Sequence, residues 1–400
     1  MSGALTGVTV LDFTQLAQGP YATQILGDMG AEIIKIEPLN GDWMRNFAYV
    51  NLYPAGKSVS FLAFNRNKRS VAVNLKTPEG QEIVRRIAAR ADVAVENFRP
   101  GVMERLGIGY STLAQINPRL IFCSSSGFGA TGPYVNRPGQ DLLIQSMAGG
   151  MVLNGKRGDF PMATAVGLAD LVTGLHIAYS ISAALFNRER TGQGQAIECN
   201  LYSSLLHLHQ QELTAYLNGG GIPERSETNM PNPYLGAPYG LFETADHYVA
   251  TAMNPVNKLA RLVGVPGFET MDGNNVMEDR DDIRRAFMPA FRTRTTAEWL
   301  NILLAEDIWC SPVYSFAEVE TDPQVLHNGM ITSYEHPTVG TVRAVGFPVN
   351  FLGTPAEIRR PAPLLGQHTA EVLGEFGYSP GEIRDLAQRR IVTAAEVSHA

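Results

Sequence analysis

The chain is poor in cysteine: Cys123, Cys199 and Cys310 are the three in 400 residues, they lie far apart, and no two form a CxxC pair. That spacing supports neither a disulfide framework nor a zinc knuckle, and the three read as buried thiols. No HExxH occurs, and His207 and His209, two positions apart, point to different faces of a helix. This leaves the histidines surface or packing roles and predicts no metal site. Ser124-Ser125-Ser126-Gly127 lacks the GxSxG elbow and reads as a strand-end turn. Long cationic runs are missing too. Thirty-two basic against thirty-nine acidic residues leave a formal charge of -7, a poor match for nucleic acid or an anionic membrane. Nowhere do eighteen apolar residues run together, and MSGALTGVTVLDF has no basic stretch ahead of an apolar one. The expectation is a soluble, cytoplasmic protein.

With 44% hydrophobic and 18% charged residues the chain can fill more than one core, so two domains are expected. VTVLD (8–12) and EIIKIE (32–37) have strand character, and Gly19-Pro20 opens a helical pattern between them. This βαβ unit has no GxGxxG, so its Rossmann likeness is one of topology. VAVNL (71–75) leads into Thr77-Pro78-Glu79: an N-cap, a proline at the first helical position and an acid in the first turn. DVAVENF (92–98) and RLIFCSSSGFG (119–129) read as further strands, and Leu201 to Leu217 as a helix. Such alternation argues for an α/β fold, a Rossmann-like large domain with a mostly parallel sheet over 1–217. Residues 218–240, dense in Gly, Pro and Asn, read as a linker. Residues 241–330 read as a smaller α+β domain, with a strand pair near 241–252.

One carboxylate draws attention. AVGLADLVTG (165–174) puts Asp170 where a glycine-containing loop becomes a helix. Leu171, Leu175, Ala178, Ile181, Ser182 and Leu185 then recur at three- and four-residue steps to about Arg190. In the first turn, unpaired N–H groups favour a carboxylate and are expected to hold its pKa low. An ionised carboxylate attacks activated acyl groups such as thioesters. A plain helix cap satisfies the same spacing. Separately, Lys35, Lys68, Arg69, Arg99 and Arg105 fall near expected strand ends, where open α/β sheets take ligands, and make a candidate phosphate-binding edge. For any one of them a solvated face is the alternative.

Several long stretches, in one order, resemble a known family: LDFTQLAQGPYATQILGDMGAEIIKIE, NRNKRSVAVNLKTPEGQEIV, DVAVENFRPGVMERLG, GLADLVTGLHIAYSISAALFNRERTGQGQ and APLLGQHTAEVL. They are similar to the class III coenzyme A transferases, the CaiB/BaiF group, which includes formyl-CoA transferase and the α-methylacyl-CoA racemases. The resemblance covers nearly all 400 residues. It implies a transferase in which Asp170 attacks an acyl-CoA to give a mixed anhydride. The released thiolate then converts the anhydride to an aspartyl-CoA thioester, which an acceptor carboxylate discharges. It implies no cofactor beyond coenzyme A as a substrate. It also implies CoA-binding roles for Leu16, Lys68, Arg69, Leu75, Asn97, Phe98 and Arg105, with Lys68 and Arg69 near the nucleotide phosphates. Gln18, Gln140 and Asp141 are implied as polar active-site residues. An interlocked homodimer is implied as well, with a second linker at 331–345 and a C-terminal segment, 346–400, returning to the large domain.

Racemases of this fold carry a histidine where RPGQDLLIQ has Gln140, because inverting an α-carbon needs a base on each face, and a glutamine takes up no proton near neutral pH. Transfer is therefore preferred over racemisation. Relative to formyl-CoA transferase, the glutamine after FT is displaced, with Ala17 then Gln18 in LAQGP, and PYLGAPYG replaces a glycine-rich loop. Both departures point away from formate and oxalate, toward a larger carboxylate or dicarboxylate acceptor with succinyl-CoA as donor. A CoA-binding subunit without turnover is the alternative of another class, and the retained Asp170 speaks against it.

Overall fold

A computed structural model describes residues 3–393. Seven strands form one sheet in the spatial order Val392–Thr393, β3 (Lys68–Val73), β2 (Glu32–Glu37), β1 (Thr9–Asp12), β4 (Val93–Glu96), β5 (Ile121–Ser126) and β6 (Ala196–Asn200). Every pairing is parallel except that of Val392–Thr393 with β3. The strands can be apolar on both sides because helices cover both faces. Val10, Ile33, Val95 and Ile121 pack against the helices Gln18–Asp28 and Leu168–Thr191. Leu11, Ile36, Val71 and Phe122 pack against Pro78–Ala88, Thr369–Glu375 and Pro380–Gln388, so these last two helices lie on this sheet. Thr77 caps its helix as expected, its hydroxyl accepting from Gly80 N at 3.1 Å. Strand order reverses between β1 and β4, and the crevice at the C-terminal ends of these strands is where such sheets bind ligands.

The helix that carries Asp170 keeps only part of its expected face. Ala178, Ile181 and Leu185 are buried as expected, together with Ala169, Val172, Thr173, Ile177 and Ala184, whereas Leu175 is 48% exposed, as are Tyr179 and Phe186 at 58% and 68%. Gly174 decides this. A Cβ there would lie 2.8 Å from the carbonyl oxygen of Gln18 and 2.9 Å from the Tyr21 ring, so the Gln18–Asp28 helix crosses at the glycine. A count of apolar residues gives that position no weight.

The chain divides into two compact units. One holds the chain through Ile144, Gly167–Leu208 and the chain from Pro323; the other holds Gln145–Val166 and His209–Asp322. The second has its own core of Phe242, Phe287, Phe291, Trp299 and Leu303, and an antiparallel sheet of Gly240–Glu243, Tyr248–Thr251 and Cys310–Pro312. Residues 218–240 are not the expected linker but part of this unit. Arg280 donates to the carbonyls of Glu224 and Pro233, Arg284 to Thr228 and the Tyr239 carbonyl, and Ser226 bonds Asp281. A Gly- and Pro-rich composition reads as linker because the arginines that occupy its carbonyls lie fifty residues away. Residues 331–345 are likewise no linker but an antiparallel hairpin of Ile331–His336 and Gly340–Val345. The helix expected over 201–217 is interrupted at His209.

Candidate active site

The crevice is built first by buried charge. Asp12, the last residue of β1, accepts from the N–H and hydroxyl of Thr14 at 2.9 and 2.5 Å and from the Thr23 hydroxyl at 2.7 Å. Lys68 reaches the same carboxylate at 3.2 Å and the Pro20 carbonyl at 2.9 Å. This corrects the assignment of Lys68 to coenzyme A: its side chain is fully buried and its ammonium is committed. Burial lowers its pKa to about 8, against the raising effect of Asp12. Arg69 is also removed from the phosphate edge, 5% exposed and paired with Glu375 at 2.7 Å, Glu371 at 2.9 Å and Glu32 at 3.4 Å. Both residues lie inside β3, where neighbouring carboxylates claim them. One exposed cation near this edge is Lys76, which follows Leu75 in the turn after β3. Sequence reasoning passed over it, although the NLK triplet places it one residue beyond a predicted contact.

Other predicted residues do gather at the strand ends. Asn97, just past β4, holds Gln15 by both backbone groups: its oxygen accepts Gln15 N and its amide donates to Gln15 O, each at 2.8 Å. Leu16 follows, 41% exposed. Gln18 begins the next helix, buried, with its side-chain oxygen accepting from Ser125 at 3.3 Å. Leu75 and Phe98 rest on the sheet core, each partly exposed; Arg99 is exposed on the turn after β4 and Arg105 is exposed at the end of the short helix Val102–Arg105. Glu96, which the sequence reading left aside, underlies this turn. It accepts from Phe98 N at 2.7 Å, and burial pushes its carboxyl up to about 7.

Asp170 lies in the first turn of Leu168–Thr191 but does not cap it. Gly167 occupies the cap position without a side-chain bond, and the helix N–H groups are taken from outside: Asp141 Oδ1 accepts from Ala169 N at 2.7 Å and from Asp170 N at 3.3 Å. Asp141 is delivered by a glycine contact. A Cβ on Gly127, at the end of β5, would lie 2.5 Å from Gly139, so no larger residue fits between this turn and Gln140-Asp141. Gln140 itself is exposed, its carbonyl accepting from Ile144 N at 3.0 Å.

Burial, with the Asp141 charge beside it, inverts the expected electrostatics of Asp170. Instead of being held low, its pKa is raised to about 7, by burial and then by the neighbouring Asp141 charge. Among the described residues no hydrogen bond stabilises its carboxylate. Near neutral pH such a group is partly ionised and far more basic than an ordinary aspartate, the condition for a reactive rather than a structural carboxylate. Gly174, one turn further on, keeps the Gln18 backbone beside the start of this helix.

Residues 5–369 match the family described as CoA-transferase family III. Succinyl-CoA:glutarate CoA-transferase of Mus musculus is 37% identical, over 96% of this chain and 88% of its own length. Formyl-CoA:oxalate CoA-transferase of Rhodopseudomonas palustris is 33% identical over 96% of each. The crystal structure of a CAIB/BAIF family protein from Brucella suis matches with a TM-score of 0.83 at 31% identity, over 94% of this chain and 100% of that one.

Proposed function

The chain belongs to CoA-transferase family III and is a CoA-transferase, and from that premise we propose that it moves coenzyme A from succinyl-CoA to a dicarboxylic acid such as glutarate through a thioester on Asp170. The observation that carries the mechanism is a carboxylate in a helix's first turn whose capping role has passed to Asp141, leaving it basic and unbonded. An Asp170 oxygen attacks the thioester carbonyl and the C–S bond breaks, giving a mixed anhydride and the CoA thiolate. The thiolate attacks the aspartyl carbonyl, releasing succinate. The acceptor carboxylate then attacks the aspartyl thioester carbonyl and expels the thiolate, giving a second mixed anhydride; the thiolate attacks the acceptor's acyl carbon, the anhydride C–O bond breaks, and acyl-CoA leaves with the Asp170 carboxylate restored. Each step is an acyl transfer, and the covalent intermediates divide one difficult exchange into several easier ones.

In this reading the coenzyme lies along Leu16, Leu75, Asn97, Phe98 and Arg105, with exposed Lys76 and Arg99 meeting phosphate in place of Lys68. The choice of donor and acceptor is supported by the succinyl-CoA:glutarate relative. We read the assembly as a homodimer. The support is the exposed apolar stripe Leu175, Tyr179 and Phe186 on the Asp170 helix, which a second copy would cover.

The test is Asp170→Ala together with trapping. The variant is expected to bind CoA and exchange nothing. Hydroxylamine added after succinyl-CoA is expected to mark the wild-type peptide carrying Asp170, and a label elsewhere sinks the mechanism. Deuterium wash-in at the α-carbon of a 2-methylacyl-CoA would instead favour racemisation, which Gln140 argues against.

A further inference from the structure

Leu16 has φ +67°, a left-handed conformation that leucine rarely adopts. Contacts on both sides impose it. The Thr14 carbonyl accepts from Lys35 Nζ at 2.7 Å. Gln15 is gripped through both backbone groups by Asn97. The N–H of Leu16 donates to Asp42 Oδ1 at 3.3 Å, and the other Asp42 oxygen pairs with Lys35 at 2.9 Å. Asp42 is itself fixed, its N–H donating to Glu37 Oε2 at 2.9 Å and its carboxylate capping Met44 N at 2.9 Å. Lys35 and Asp42 are both fully buried, so water does not compete for either.

A buried ion pair is weak evidence for stability, because desolvation consumes most of the attraction; fixing one geometry is a better reason to keep it. Strained backbone persists only where its surroundings over-determine it, and it concentrates at binding sites. We propose that the buried Lys35–Asp42 pair is a positioning device that holds Leu16 left-handed, and so shapes in advance the wall of the crevice on which the thioester arm of the acyl-CoA lies. The inference rests on the reading of this edge as the coenzyme site and deepens it. Neither Lys35 nor Asp42 touches substrate; both act through the loop Phe13–Ala17.

The experiment is a double-mutant cycle read in KM for succinyl-CoA and in kcat. Glycine takes φ +67° unaided, so with Leu16→Gly in place the pair has nothing left to impose. Asp42→Ser, and in parallel Lys35→Met, is expected to raise KM roughly tenfold when residue 16 is leucine and less than about twofold when it is glycine, with kcat moving less in both. Equal effects in the two backgrounds would mean that the pair only supports the fold, and would overturn the proposal. A second measurement spares the buried charges. Leu16→Gly is expected to melt above Leu16→Ala, the reverse of the usual loop order, because alanine keeps the Cβ penalty; alanine melting at or above glycine also overturns it. If the melting order holds while neither Leu16 variant alters KM, the coenzyme reading of this edge fails and the strain assignment stands.

Discussion

Asp12, at the end of β1, and Asp170, in the first turn of the helix Leu168–Thr191, lie in one compact unit, and their pKa values move in opposite directions. Burial would raise both. At Asp12 it is outweighed by the ammonium groups of Lys68 and Lys35 and by the Thr14 and Thr23 hydroxyls, which hold the carboxyl below its ordinary value. At Asp170 nothing outweighs it: Asp141 adds a like charge and takes the helix N–H groups, and the carboxyl rises to about 7. Compensation, not depth, separates a buried carboxyl held low from one pushed up. The two therefore contribute to stability in opposite pH windows. Asp12's contribution is present above its unfolded pKa and is lost as pH falls through its lowered folded value. Asp170 favours the folded state at low pH, an advantage lost as pH rises through about 7.

The most severe way to break this contrast is Asp170→Asn. Exchange is expected to fall more than about a thousandfold, since the amide is no nucleophile. The same variant is expected to be more stable than wild type at pH 8, by about 1–2 kcal/mol after discounting for partial solvent access, with the gain gone below about pH 4. Parallel urea titrations at the two pH values check this, and a stability loss at pH 8 would contradict the raised pKa. Next comes Lys68→Met, which strands the Asp12 charge and is expected to cost about 3–5 kcal/mol in urea unfolding. Full stability with weakened coenzyme binding would return Lys68 to the ligand.

Asp141→Asn sharpens the comparison from the other side. Its side-chain oxygen can still accept from Ala169 and Asp170, while its charge is gone, so the acidic limb of the pH dependence of kcat/KM is expected to move down by about one unit. An unmoved limb would mean that burial alone sets the Asp170 pKa. The mildest change is Thr23→Val, which deletes the 2.7 Å bond to Asp12. It is expected to cost about 1–2 kcal/mol at pH 7, and less as acid protonates Asp12. Circular dichroism melts at two pH values measure it.

Where several candidate residues lie along the chain's elements was legible without coordinates, and the reason is local. Asn97 and Phe98 follow a strand, Leu75 precedes a Thr-Pro cap, and Asp170 opens an apolar helix, so each is placed by its immediate neighbours. Lys68 and Arg69 misled for the same reason. As letters near a strand end they look available to phosphate; their partners, Asp12 and Glu375, lie 56 and 306 residues away.

By itself, then, the sequence determined the alternation of strands and helices, the start of the helix after Thr77 and the place of Asp170 in a first turn. Rules reaching no further than one helical turn settle all three. Only the tertiary structure decided that Asp141, 28 residues from Ala169, takes over the cap, that Lys35 and Lys68 face inward, that Leu16 is left-handed, and that 218–240 is folded rather than free. Each of these is a contest for a hydrogen bond or a charge between groups that only the fold brings within reach.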